Sequence, residues 1–156
     1  MNADLVTVLA DYRTGLDAEL QLLQQLEDVA TRQRALPFPP TADDLTALGV
    51  ERERHLTALF GLEERLLPLR QQIMSSLPAA RELPGFAGVA DRHARVGALV
   101  TAIMQLDTES LAILARADQD RRAAAQSLET GEATLAAYRR LLQQPQPSAG
   151  LFTQRG

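Results

Sequence analysis

The chain has 156 residues, a formal net charge of −4 and 46% hydrophobic residues, so one small domain is the first expectation. Cys, Trp and Lys are absent; this removes disulfides, thiolate chemistry and Cys-ligated metal centres. With no basic face or tail, nucleic-acid binding is disfavoured as well.

The opening MNADLVTVLADYRTG carries Asp4 and Asp11 and lacks the positive start of an export leader. No apolar run approaching the ~18 residues of a membrane span is read in the sequence. A cytoplasmic protein, or one exported by a route that needs no cleavable signal, is therefore expected, without membrane insertion. Aromatic content is 4%, so Leu and Ala must supply most of the packing, which favours helices over strands.

Residues 3–36 contain no Pro and one Gly. Steps of four and three from Leu5 reach Leu9, Tyr12, Leu16, Glu19, Leu23, Leu26 and Ala30, all apolar except Glu19. This spacing predicts an amphipathic helix. Leu20, Leu22 and Val29 widen its stripe to that of a bundle helix. Asn2 or Asp4 is a candidate cap, and Gly15 should weaken the helix by about 1 kcal/mol relative to Ala. The segment ALPFPPT ends it, because Pro37, Pro39 and Pro40 cannot continue a helix.

Thr41 reads as an N-cap, with Asp43 and Asp44 in the first turn. A second helix is predicted from about Thr41 to Leu77. Its stepped face is Leu45, Leu48, Arg52, His55, Leu59, Leu62, Leu66, Leu69 and Ile73, broadened by Leu56, Phe60, Leu67, Met74 and Leu77. Pro68 falls inside this pattern and should kink it near Glu64 to Pro68 without a full break. PAARELPGFAG, residues 78–88, reads as a loop that Phe86 pins to the bundle.

A third helical region is predicted from about Val89 to Gln143. Its first half is apolar (Val96, Leu99, Val100, Ile103, Met104, Leu106, Leu111, Ile113 and Leu114). Next comes ARADQDRRAAAQSLETGE, residues 115–132, where Leu128 is the single large apolar side chain. One straight helix over the region would be about 80 Å long, so a bend or break between Arg116 and Gly131, or a projecting end, is expected. The fold class read from the whole is all-α: an antiparallel bundle of three long helices over 1–144, with a bent or projecting C-terminal helix and a flexible tail over 145–156.

No constellation of catalytic type emerges. His55 and His93 fall on different helices, and neither has a Glu three residues before it, so the paired Glu-x-x-His pattern of a di-metal bundle is missing. Glu63–Glu64, Asp43–Asp44 and Asp118/Asp120 point in different directions on a helix, whereas acid–base work needs convergent groups. Ser75, Ser76 and Ser110 lack a His/Asp set. Glu19 is the acid of most interest because it interrupts an apolar series; a carboxylate at the face margin, reaching solvent, is the expected reading. The sequence thus predicts a non-enzyme with no cofactor and no metal.

Helix-surface binding remains. Ala123, Ala124 and Ala125 favour helix but bury little area, so tertiary contacts should be weak from Arg116 to Ser127. Beyond them Leu128, Leu135, Tyr138, Leu141 and Leu142 make one broad apolar face. Such a face suits either packing onto a partner helix or closing the chain's own bundle. Homodimerisation through the third helical region stays open too.

The order of LQLLQQLEDVATRQRAL, then TADDLTALGVERERHLTALFGLEERLLPL, then LAAYRRLLQQPQPSAGLFTQRG resembles the FlgN-type flagellar secretion chaperones. The chain departs from that pattern at the Pro-rich ALPFPP and at ADQDRRAAAQ. The resemblance implies a small acidic cytoplasmic chaperone. It would bind the C-terminal helices of hook–filament junction proteins and deliver them to the flagellar export apparatus. It further implies Leu128, Leu135, Tyr138, Leu141 and Leu142 as client surface, and Leu151 and Phe152 as a tail shielding that surface when no client is bound. A structural helical oligomer, or another type III export adaptor, is the alternative.

Overall fold

The protein is all-helical in a computed structural model that describes residues 2–143. Leu151 and Phe152, the expected shielding pair, lie outside the described residues. Four helices follow one another: α1 (Asn2–Arg34), α2 (Ala42–Ser75), the five-residue α3 (Leu77–Arg81) and α4 (Phe86–Gln143). Met1–Leu114 forms one compact unit and the residues from Ala115 onward a second, so α4 contributes to both.

Helix α1 supplies the spine of the first unit. Leu9, Tyr12, Leu16, Leu23, Leu26 and Ala30, the stepped series, are all buried, as are the flanking Leu20 and Val29. A 3.6-residue period puts these side chains on one stripe. Removing each large one from water contributes about 1.5–3 kcal/mol, so this face, and not intrinsic propensity, holds the helix. Asp4 sits in the first turn of α1, beside the exposed amides, and Arg32 and Arg34 in its last.

Thr41 caps α2 as expected: its hydroxyl accepts a hydrogen bond from the Asp44 backbone N–H at 3.2 Å. Leu48, Leu62, Leu66 and Ile73 are the buried positions of α2. The helix runs on through Pro68, which is exposed. Phe60, Leu67 and Met74, expected to broaden the packed face, are instead exposed. The packed stripe of α2 is therefore narrower than its apolar content.

The expected loop over 78–88 is mostly helical. Ser76 closes α2, with its N–H on the Ile73 carbonyl, and α3 starts at once, with Pro78 in its first turn. There a missing N–H costs nothing, since first-turn amides have no intrahelical partner. Ala80 of α3 is fully buried. The real connection is Glu82 to Gly85, with Leu83 and Phe86 packed against the core.

From α4, Val89, Val96 and Ile103 enter the same core, seven residues apart, with Leu99 and Leu106 beside them. Ion pairs frame this packing. Arg92 reaches Asp17 on α1 at 2.6 Å, Arg52 on α2 grips Asp107 with both terminal nitrogens, and Arg34 on α1 pairs with Glu109. Helix α4 includes a stretch of mean hydropathy 1.4, long and apolar enough to cross a membrane by length and composition alone. Counting uninterrupted apolar residues passes over that stretch. Val96 and Ile103, along the same helix, belong to the core. Between Arg116 and Gly131 α4 is an unbroken helix, so of the bend, break or projecting end expected there the break is not formed.

Candidate functional site

From Arg121 to Gln143 every residue of α4 is exposed. The five apolar side chains singled out in this segment are open to solvent: Leu128 75%, Leu135 69%, Tyr138 59%, Leu141 63% and Leu142 62%. Leu128, Leu135 and Leu142 recur every seven residues. At 3.6 residues per turn they and Tyr138 fall within an arc of about 80°, with Leu141 about 60° further round. Ala124 and Gly131 lie inside the same arc. Small residues between large ones let a second helix approach closely, since interaxial distance follows side-chain size at the contact.

Local interactions account for the helical state of this segment. Asp118 pairs with Arg122 at 3.1 Å one turn on, and with Arg121 at 3.8 Å. Thr130 and Thr134 donate their hydroxyls to the carbonyls of Gln126 and Thr130. Such surface contacts add only a few tenths of a kcal/mol each. With the Ala-rich composition they support a helix whose apolar stripe is exposed among the described residues.

A polar cluster in the first unit was not legible as a group. Glu19 is 6% exposed, so its carboxylate does not reach solvent as expected. Across from it on α2 lies Glu63, and Arg70 donates to both Glu63 oxygens at 3.1 and 3.0 Å. The same guanidinium donates from Nε to the Tyr12 hydroxyl at 3.0 Å and sits 5.9 Å from the Tyr12 ring centre. Burial, and then a hydrogen bond and charge repulsion from Glu63, push the Glu19 carboxyl up to about 7, against the opposing pull of Arg70. The Glu19 Oε2 and the Ser110 Oγ are buried without a hydrogen-bond partner among the described residues.

Beside this cluster is a cavity of about 290 Å³, lined by Tyr12, Arg70, Ile73, Phe86, Val89 and His93 among others. Its walls are almost wholly apolar. The Arg70 charge is already matched by Glu63, and Glu19 does not line the space. Nothing in it pairs an acid with a base around a reacting atom, which is what general acid–base chemistry requires.

Among the other candidates, His55 lies 4.0 Å from Glu51, and Glu51 is held below the usual carboxylate range by its hydrogen bonds to Arg32. Among the described residues no three His, Cys, Asp or Glu side chains gather in a metal-binding group. The signal that could have found the polar cluster is the pair of anomalies in the apolar series, Glu19 on α1 and the Glu63…Arg70 spacing on α2. Neither becomes meaningful until the two helices are placed side by side.

No family model, no curated protein and no solved structure matches this chain.

Proposed function

We propose that this protein is a cytoplasmic export chaperone of the flagellar or type III class, resembling the FlgN type. On this reading its last helix holds the C-terminal helices of hook–filament junction proteins, blocks their premature assembly and hands them to the export apparatus. The observation that carries the reading is the exposure of Leu128, Leu135, Tyr138, Leu141 and Leu142 among the described residues. A contiguous exposed apolar face on a soluble helix is characteristic of a partner surface. The expected antiparallel bundle of three long helices with a bent or projecting C-terminal helix belongs to the same proposal, as do the absence of enzymatic activity and of a cofactor.

Magnitudes favour a transient complex. Burying five side chains at about 2 kcal/mol each yields on the order of 10 kcal/mol, against an association cost of 4–15 kcal/mol. The face alone therefore supports weak to moderate affinity, which suits a chaperone that must release its client.

The test is co-purification of the full chain with junction proteins, followed by titration of their C-terminal helical segments. Leu135→Glu with Leu142→Glu should weaken binding at least about tenfold, since a charge replaces each buried leucine, while the helical circular dichroism is unchanged. Failure to bind any junction protein rejects the function; undiminished binding by the double variant rejects the face.

The seven-residue recurrence of Leu128, Leu135 and Leu142 also favours a second reading, a helical homo-oligomer paired through this face. Sedimentation equilibrium separates the two. A dimer that Leu135→Glu dissociates, with no client affinity, supports the oligomer.

A further inference from the structure

Glu19 occupies a position where an ionised carboxylate is heavily penalised. It is buried in the middle of the apolar face of α1, and its Oε2 has no hydrogen-bond partner among the described residues. Opposite, on α2, stand Glu63 and Arg70. The Arg70 guanidinium is directed at both Glu63 oxygens and at the Tyr12 hydroxyl of α1, so it acts on Glu19 through its charge and not by a hydrogen bond. Helix α4 presents Arg92, tied to Asp17 of α1, and His93, which lines the cavity with Tyr12 and Arg70; neither contributes to the displaced titration of Glu19. Helix α3 adds Ala80 to this core, and its one charged residue, Arg81, is exposed. Two carboxyl groups therefore meet across the α1–α2 seam, and the one cation near them is hydrogen-bonded to Glu63 alone of the pair.

We infer that the Glu19 carboxyl keeps its proton in the folded seam and shares it with Glu63 through a hydrogen bond, and that release of this proton is a switch that loosens α1 from α2. While the proton is present, the Glu19 carboxyl donates to the Glu63 carboxylate, and one net negative charge faces Arg70. Once it is lost, two negative charges face the same cation inside the seam, and the buried Oε2 becomes a charged atom with no donor. The switch stands on the first compact unit alone and is independent of what the last helix binds.

The sign follows from linkage. The folded protein holds this proton up to about pH 7, whereas an ordinary glutamate releases it near 4.5. Between those values the folded state binds more protons than the unfolded state, so stability falls as pH rises. Below that window the contribution is fully present, and above it the contribution is lost and the curve levels. The folding equilibrium constant should drop on the order of 100-fold between pH 5 and pH 8 from this group.

The experiment is urea unfolding of the full chain from pH 5 to 8.5, beside Glu19→Gln. This variant keeps the side-chain shape, can donate to Glu63 and carries no titrating proton. Carbon-detected NMR of the Glu19 carboxyl supplies the titration directly, and amide exchange along residues 16–23 and 59–66, corrected for base catalysis, reports the loosening. The expected result is a pH slope in the parent that Glu19→Gln removes, with seam amides opening at least about tenfold more at pH 8 than at pH 6 in the parent alone. In Glu63→Gln the neighbouring charge is gone and Arg70 is freed, so Glu19 should titrate toward its ordinary range. The inference is overturned by a Glu19 carboxyl that titrates near 4.5 in the parent, by a pH slope that survives in Glu19→Gln, or by corrected seam exchange that does not change with pH.

Discussion

Gly15 of α1 faces Leu66 of α2 so closely that a Cβ built on Gly15 would lie 2.1 Å from Leu66 Cδ2 and 3.2 Å from its Cγ. From helix propensity alone Gly15 is a weak point. In the fold its missing side chain is what admits Leu66 of α2, itself buried. The two considerations give opposite signs for one substitution.

Gly15→Ala is therefore expected to destabilise. Overpacking a buried contact costs about 1–3 kcal/mol, and the gain in helix propensity returns about 1 kcal/mol. The net is a loss of up to about 2 kcal/mol, read as a lower urea midpoint. Adding Leu66→Ala should make the pair non-additive, because the smaller neighbour relieves the clash. A midpoint that rises in Gly15→Ala alone would show that the two helices are not in this contact.

Leucines in the two units should respond very differently. Leu16 has 0% exposure, and truncation to Ala should cost about 2–5 kcal/mol through lost burial and a cavity. Leu135→Ala, at an exposed site, should stay within about 0.5 kcal/mol of the parent. Thermal melts of both variants check this. A large loss from Leu135→Ala would mean that its face is covered in the free protein.

Arg52 and Asp107 join α2 to α4 in a two-point contact, each about three-quarters buried, at 26% and 29% side-chain exposure. Asp107→Asn should cost about 1–2 kcal/mol, since one member of a charge-assisted pair is lost while the other stays partly desolvated. Asp91→Asn should change almost nothing, because its pairing with Arg95 is largely exposed. Equal effects from the two would argue against an α2–α4 clamp at Arg52.

Arg70→Gln should move the Glu19 titration upward from about 7, because the Arg70 charge is what pulls it down. The pH range over which stability is lost then extends to higher values, with its lower edge unchanged near the ordinary glutamate range. Carboxyl NMR across pH 4 to 9 reads the shift. A titration that moves down in Arg70→Gln would contradict the placement of this cation beside the carboxylate pair.

Much of the architecture is a local property and was legible. Leu9, Tyr12, Leu16, Leu23 and Leu26 repeat at helical spacing, and any surface that accepts one of them is within reach of the rest. Thr41 caps α2 because a hydroxyl three residues before Asp44 reaches its amide whatever the rest of the chain does. Pro37 to Pro40 end α1 for equally local reasons. Less was legible where a residue's role depends on what lies across from it. Phe60, Leu67 and Met74 continue an apolar pattern that the neighbouring helices do not cover. Leu77 to Arg81 form a helical turn where Pro and Gly composition suggested a loop.

By itself, then, the sequence determined that this chain is helical, where α1 and α2 begin and end to within a residue or two, and which stripe of α1 is apolar, because periodicity, caps and proline act over a few residues. Tertiary structure alone decided that Glu19 meets Glu63 and Arg70, that Gly15 makes room for Leu66, and that Leu128 to Leu142 show their apolar face to solvent. Those outcomes depend on which surfaces face one another across the fold, and no span of neighbouring residues encodes that.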